Sequence, residues 1–331
     1  MDIRAMRYFV AIVDHGSLTR AAEVVCVAQP ALSQQLAALE EEFGVPLVHR
    51  GAKGVRPTEA GKTLYRHIRN ILRQVEIAGA DVRVAGSEIS GNVAIGLPTT
   101  AAAAFGMPLM RAVRQRYPQV RLQLFESMSG YISELLNQNR LDFAILFRDT
   151  ASRAVEPEPL ASEPLYLIGT PPGRTTRSAT IALKALDGIP LVLPSGSQGL
   201  REVVERSFAK AGIALNVVAD LDSLPFLLAA AREGLACTVL PASSLGESPG
   251  AEGDGAGDGD GDGKGDAEGG IGRRLILPEL RRTLSLCWPR ALPRSNAAEA
   301  VAEILREIVA VRIAQGGSLA PPPSPAAPAG R

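Results

Sequence analysis

Hydrophobic positions in the first forty residues follow the spacing of three short α-helices. Apolar residues recur at helical spacing over residues 3–13, which gives the first helix one buried face. Gly16 can end that helix in a left-handed conformation, and the Ser17 hydroxyl can accept a hydrogen bond from the start of the second helix. The third helix has an apolar stripe formed by Leu32, Leu36 and Leu39.

The opposite face of the third helix is polar. Glutamine can form two hydrogen bonds with an adenine edge and serine can bond to several bases, so these side chains suit direct reading of DNA in the major groove. The pattern predicts a helix-turn-helix, and the alternative is an ordinary helical hairpin whose polar face is solvated. The candidate base-reading residues are Gln29, Ser33, Gln34 and Gln35.

Two short strands around a glycine-bearing turn, residues 46–50 and 53–56, are predicted next and would form a wing. Between residues 50 and 73 the chain has seven lysines and arginines and one acidic residue, Glu59. Such basic side chains contact phosphates and position a duplex without reading its sequence. The wing candidates are Arg50, Lys53 and Arg56, of which the last two could instead be solvated surface charges.

A long helix with a regular apolar seam is predicted to follow the wing. Its hydrophobic positions alternate at spacings of four and three, which is the pattern of a helix that pairs with a partner helix. The alternative is a single helix that packs on its own domain, but so regular and narrow a seam favours self-association. The predicted dimerisation residues are Leu64, Ile68, Ile71, Val75, Ala78 and Val82.

Residues 1 to about 85 resemble the winged helix-turn-helix and linker of the LysR-type transcriptional regulators, most closely their nitrogen assimilation control branch. The resemblance implies that linker helices pair across a two-fold axis. It also implies base contacts by Gln29, Pro30, Ser33 and Gln34, and a wing contact by Arg50. Many relatives have Ser or Thr where this chain has Ala28, so one helix cap is missing. The matching motifs are Phe9, residues 17–22, 29–33, 39–40 and 44–47, Arg50 and residues 57–61.

From residue 91 the pattern changes to alternating strands and helices, which predicts an α/β domain with a mostly parallel sheet. Two such units joined by crossover strands would leave a cleft for a small molecule. LysR-type regulators carry an effector domain of this kind, similar to periplasmic binding proteins. The predicted domains are residues 1–58 (winged helix-turn-helix), 59–86 (linker helix) and 91–314 (effector domain, with subdomain I about 91–162 and 282–314 and subdomain II about 163–281).

Effector contacts in such clefts come from strand ends and helix starts. Each hydroxyl there could instead cap a helix or a turn, and Arg148 could pair with an anionic effector or be a surface residue. Phe226 is a candidate apolar wall. The candidate effector-binding residues are Pro98, Thr99, Thr100, Ser127, Ser129, Arg148, Ser195, Ser197 and Phe226.

The 331-residue chain has a formal net charge of zero, but this value conceals an acidic segment. Residues 246–270 hold eight acidic residues and one lysine, a charge of −7, so the rest of the chain carries +7, which suits a DNA partner. The glycine and aspartate content predicts a disordered insertion. Residues 258–263 match the start of an EF-hand loop, but Gly269 occupies the place of its bidentate glutamate. Residues 315–331 are predicted to be a disordered tail.

Enzymatic functions find little support in the sequence. All three histidines lie within the first 67 residues, and residues 194–199 do not match the nucleophile motif Gly-x-Ser-x-Gly. The three cysteines lie far apart and are expected to be buried and reduced. No metal or cofactor is expected, and no signal peptide or membrane span is predicted.

The sequence therefore predicts a cytoplasmic, non-enzymatic regulator. Its expected partners are double-stranded promoter DNA, further copies of the chain in a dimer or tetramer, a small effector and RNA polymerase. The competing hypothesis is a cytoplasmic small-molecule-binding or enzymatic α/β protein whose N-terminus is helical for unrelated reasons.

Overall fold

The computed structural model describes residues 1–51, 54–84, 89–148, 152, 154–171, 178–245 and 272–322. The acidic segment 246–270, the wing residue Lys53 and the tail beyond residue 322 lie outside the described residues. No helix in the described ranges is long and apolar enough to cross a membrane.

The N-terminal domain contains the predicted helices and wing. The Gly16 backbone adopts φ +58° and ends α1, and the Ser17 hydroxyl accepts a hydrogen bond from the Arg20 N–H at 3.4 Å, so both capping predictions are confirmed. The two wing strands pair antiparallel. The elements are α1 (Ile3–His15), α2 (Leu18–Val24), α3 (Gln29–Phe43), β1 (Val48–Gly51), β2 (Gly54–Pro57) and the linker helix α4 (Glu59–Val84).

The effector domain begins with β3 (Gly91–Pro98) and alternates strands with helices, as predicted. A π-helical turn, Ala102–Gly106, joins α5 to α6. The other elements are α5 (Thr99–Ala101), α6 (Met107–Arg116), β4 (Val120–Ser127), α7 (Ser129–Asn137), β5 (Phe143–Leu146), β6 (Val155–Ile168), β7 (Thr180–Ala182), β8 (Pro190–Leu193), α8 (Gly199–Ala211), β9 (Asn216–Asp220), α9 (Leu224–Arg232), β10 (Thr238–Pro241), β11 (Arg273–Leu277), β12 (Arg281–Pro289) and α10 (Asn296–Ala314).

The main sheet has the order β4-β3-β5-β12-β6-β11-β7, with β10 also paired to β6. The expectation of parallel pairing holds for β3 with β4 and β5, and for β8 with β9. It is wrong for β6 and β12, which are antiparallel. These two strands are the connections between the subdomains, one leading out and the other leading back, and therefore run in opposite directions.

Two hydrophobic cores meet along β6, which passes from one to the other. Ala161 packs in the core that contains β3, β5 and α10, whereas Leu165 packs in the core that contains β8, α8 and α9. The short stretch between them, Ser162 to Pro164, is where the chain crosses between subdomains.

The expected disorder of the tail is wrong for its first part. Ala320 forms an antiparallel bridge with Ser162 through two backbone hydrogen bonds of 2.8 and 2.9 Å. The Ser162 hydroxyl also donates to the Pro321 carbonyl at 3.2 Å. The composition of the tail is typical of an extended chain. An extended chain can form backbone hydrogen bonds with a strand, as Ala320 does with Ser162 of β6.

The residues predicted to form one apolar seam along the linker helix lie in two different environments. Ile68 is fully buried in the core of the DNA-binding domain and Leu64 packs against the same core, because the first half of α4 lies on α1. The assignment of Ile68 to the dimer seam is therefore wrong. The other four seam residues are exposed in the single chain: Ile71, Val75, Ala78 and Val82.

Two isoleucines one turn apart on α4 test this division. Ile68→Ala should lower the free energy of unfolding of the DNA-binding domain by about 2–5 kcal/mol, because it leaves a cavity in a packed core. Ile71→Ala, at a position 37% exposed, should change monomer stability much less and raise the dissociation constant of the dimer. Urea unfolding and sedimentation of both full-length variants measure the two effects. Similar destabilisation by both changes would contradict the division.

Candidate functional site

The polar face of α3 is presented to solvent. Gln29, Pro30, Gln34 and Gln35 are exposed, and Ser33 is half-buried. The helix starts without a side-chain cap because Ala28 occupies the capping position. Pro30 lies in the first turn, where its missing N–H leaves no backbone acceptor unpaired.

The wing is attached to α3 by one arginine and one glutamate. The Arg50 guanidinium donates to the Ser33 hydroxyl at 3.3 Å and lies 3.8 Å from the Glu40 carboxylate. Glu40 in turn accepts hydrogen bonds from the backbone N–H groups of Leu47 and Val48 at 2.8 and 3.2 Å. Arg56 is exposed and lies opposite His49 in the antiparallel register of the two wing strands. The polar face of α3 and the basic wing strands thus form one continuous surface.

The linker helix is fixed in both of its halves by polar contacts. The Tyr65 hydroxyl donates to Asp14 on α1, and burial together with this carboxylate raises the pKa of Tyr65 to about 12. Farther along α4, the Arg73 guanidinium forms an ion pair with Asp142 of the effector domain. Asp142 also accepts the Ala94 N–H at 2.8 Å. The DNA-binding and effector domains are therefore joined through one helix.

A cleft between the effector subdomains contains two cavities separated by a hydrogen-bonded contact. The Gln198 side-chain carbonyl accepts the Ser129 hydroxyl at 3.0 Å and the Gly130 N–H at 2.7 Å. A cavity of about 40 Å³ lies on the side of Thr99 and Thr100, and one of about 290 Å³ lies on the side of Arg148.

A buried ion pair lies at the floor of the cleft, and its arginine borders both cavities. The Arg282 guanidinium bonds to the Glu163 carboxylate at 2.5–2.6 Å and donates to the Thr100 hydroxyl at 2.8 Å. It also stacks on the Phe147 ring at 3.6 Å. Burial lowers the pKa of the Arg282 guanidinium, and the Glu163 carboxylate opposes this shift. The Ser243 hydroxyl completes the site by donating to Glu163 at 3.1 Å.

The structure brings together six of the nine candidate effector residues and leaves three elsewhere. Pro98, Thr99 and Thr100 line the smaller cavity, Arg148 and Ser197 line the larger one, and Ser129 borders both.

Three candidates line neither cavity. Ser195 is held by Asp222, to which its hydroxyl donates at 2.7 Å and its N–H at 2.9 Å. Ser127 lies outside both cavities. The proposed apolar wall at Phe226 is wrong, because its side chain is 67% exposed, whereas Leu224 and Leu227 of the same helix line the smaller cavity.

Sequence reasoning missed several residues that line the cleft: Phe147, Gln198, Arg206, Arg281 and Arg282. Arg282 precedes the mostly apolar stretch 284–288, and its buried partner Glu163 lies 119 residues away in the chain, so no local signal marked it. Gln198 directly follows a candidate serine, but its contact with α7 depends on the tertiary fold.

Two of the three cysteines are buried, as expected from the sequence, and one is exposed. Cys237 and Cys287 are buried, and burial raises the pKa of their thiols to about 11 and about 12, respectively. Cys26 is exposed, which corrects the prediction of three buried thiols. It lies at φ +55° in the turn that follows α2.

A thiol-labelling experiment checks this assignment. A disulfide reagent at pH 8 should react quickly with one thiol per chain, Cys26, and slowly with the two buried thiols, which stay protonated because their pKa values are raised. Cys26→Ser should remove the fast phase, and a denaturant should expose the other two. Fast labelling of two or three thiols in the native protein would contradict the burial of Cys237 and Cys287.

Comparisons with known proteins agree with this architecture. Residues 3–62 match the family model of the bacterial regulatory helix-turn-helix proteins of the lysR family, and residues 86–254 match that of the LysR substrate binding domain. The nitrogen assimilation regulatory protein nac of Klebsiella aerogenes is 38% identical over 310 residues, covering 93% of this chain and 95% of the relative. The corresponding protein of Escherichia coli K12 is 36% identical over 312 residues, with the same coverage.

Solved structures share the fold over most of the chain. A cysteine-to-aspartate variant of full-length OxyR from Pseudomonas aeruginosa superposes with a TM-score of 0.68 at 23% identity and covers 93% of this chain and 94% of its own. Full-length CbnR complexed with its target DNA superposes with a TM-score of 0.64 at 21% identity, covering 93% and 100%. At these identities the likeness establishes the fold, and the sequence matches establish the family. The chain belongs to the LysR family of transcriptional regulators, in the nitrogen assimilation control branch.

Proposed function

We propose that this regulator binds a dyad-symmetric promoter site through α3 and the wing. The observation that carries the proposal is the continuous surface on which exposed Gln29, Gln34 and Gln35 lie beside Arg50, whose guanidinium reaches Ser33. Glutamine and serine side chains can read base edges, and the wing arginine can neutralise a phosphate. The CbnR complex supports this use of the fold, since CbnR was solved with its target DNA.

We further propose that the protein acts as a dimer or tetramer. Ile71, Val75, Ala78 and Val82 leave an apolar stripe on α4 exposed in the single chain, and a second, two-fold related α4 would cover it. A two-fold dimer presents two copies of α3 to successive turns of the major groove, roughly 34–36 Å apart.

A small effector in the cleft would modulate DNA binding by favouring one arrangement of the subdomains. The names of the nac relatives suggest target genes in nitrogen metabolism, and catabolic genes are the other candidate targets. The proposal also includes RNA polymerase as a further partner and the cytoplasm as the site of action. The competing enzymatic hypothesis is not favoured, because the relatives of high coverage are regulators.

Genomic capture followed by sequencing tests DNA recognition, and Gln34→Ala tests its specificity. The variant should lose about 1–3 kcal/mol at one base pair of the recovered dyad and discriminate less among bases there. Binding titrations against all single-base variants of the site measure this. Gln138→Ala, an exposed glutamine of the effector domain, is the matched control. Equal base preferences in Gln34→Ala and the parent would refute the assignment.

Arg50→Ala should act differently, because a phosphate contact does not depend on sequence. Affinity should fall by a similar factor for specific and random DNA, and the slope of log affinity against log salt should become shallower by about one for the phosphate that is no longer neutralised. Arg290→Ala, an exposed arginine of the effector domain, is the control. A weakening confined to the specific site would contradict the phosphate role.

A further inference from the structure

The last described residues of the chain lead from α10 to the strand on which the subdomains cross. Two glycines that follow α10, Gly316 and Gly317, have φ values of +81° and +106°, in the region that favours glycine. Beyond this turn, Leu319 packs against the core of subdomain I and Ala320 pairs with β6. We call residues 316–322 the strap.

The partner of the strap, Ser162, has a neighbour on each side of β6. Thr283 of β12 lies opposite it in the antiparallel register. The N–H and the carbonyl of a residue in an antiparallel strand point to the same side, and those of Ser162 bond to Ala320 at 2.8 and 2.9 Å. Two antiparallel strands alone form a marginally stable unit, and a third strand stabilises it. The strap supplies a short third strand where β6 and β12 pass between the subdomains.

Side chains connect the strap to the crossing strands as well. The Ser162 hydroxyl donates to the Pro321 carbonyl at 3.2 Å. Arg281, the first residue of β12, donates to the hydroxyl and the carbonyl of Ser162 at 3.2 and 3.1 Å. The next residues along the two strands, Glu163 and Arg282, form the buried ion pair. The strap is therefore attached directly beside the floor of the cleft.

A contact on another part of the cleft reports how the two subdomains sit relative to each other. The Gly130 N–H of α7 donates to the side-chain carbonyl of Gln198 at 2.7 Å. Gly130 belongs to subdomain I and Gln198 to subdomain II, so a rotation of one subdomain against the other would break this bond. An amide that loses its acceptor in such an opening exchanges its hydrogen with water.

We propose that the strap fixes the angle at which the two subdomains meet. Bending of β6 at Ser162 would have to break the two backbone bonds to Ala320 and the side-chain bond to Pro321. Without the strap the subdomains rotate more freely, and the contact between Gly130 and Gln198 opens more often. The proposal rests on the geometry of the effector domain and does not depend on the proposed DNA binding.

Hydrogen exchange measured by mass spectrometry on the full-length protein and two shortened chains tests the strap. Deletion of residues 316–331 should speed the exchange of the peptides that contain Ser162 and Gly130 at least about tenfold, because both amides lose protection. Deletion of residues 323–331 alone is the matched control. It leaves the strap in place and should change neither rate.

A point variant keeps the test valid if loss of Leu319 from the core destabilises subdomain I. Ala320→Pro removes only the N–H that donates to the Ser162 carbonyl and should speed both exchange rates at least about threefold. Its matched control is Ala327→Pro, the same substitution at a position outside the described residues, which should have no effect.

The exchange of Gly130 decides between the proposal and a purely local role. Unchanged exchange at Gly130 in both strap variants, even with faster exchange at Ser162, would overturn the proposal, because the strap would then cover one strand position and nothing more. Equal acceleration by deletion of residues 323–331 or by Ala327→Pro would overturn it too, because the effect would then arise outside the strap.

Discussion

The buried ion pair between Arg282 and Glu163 is the interaction on which the effector domain depends. The two residues lie directly opposite each other on β12 and β6, the antiparallel strands that connect the subdomains. Thr100 and Phe147 of subdomain I and Ser243 of subdomain II all contact the pair. Removing either charge would leave the other buried and unpaired, which typically costs about 3–5 kcal/mol. The pair therefore keeps one point of the cleft between the two subdomains fixed.

The linker helix extends this fixed geometry toward the DNA surface. Tyr65 binds the first half of α4 to α1 through Asp14, and Arg73 binds its second half to subdomain I through Asp142. Asp142 is itself held by the Ala94 N–H of β3, the strand that leads to Thr99 and Thr100. A change in subdomain I thus has a hydrogen-bonded route through α4 to α1, on which α3 packs, and coupling requires only that this route has two arrangements.

Local signals made the N-terminal domain predictable, because its elements depend on neighbours in the sequence. Gly16 and Ser17 mark a helix boundary by their own backbone and side-chain chemistry, and the apolar stripe of α3 is visible in a single turn-by-turn pattern. The seam of α4 shows the limit of this reasoning. One continuous heptad pattern serves two different partners, since Ile68 packs on its own domain and Val75 does not. Periodicity identifies an apolar face, but it does not identify what covers that face.

Arg148 and Arg282 both border the larger cavity of the cleft, but their surroundings differ. Arg282 has a carboxylate, a hydroxyl and an aromatic ring as partners. These contacts explain why an arginine is buried at this position. Arg148 borders the same cavity, and the described chain provides no carboxylate for it. Neither residue type nor spacing in the sequence could have distinguished these two arginines, because the partners of Arg282 come from distant parts of the chain and meet it only in the folded domain.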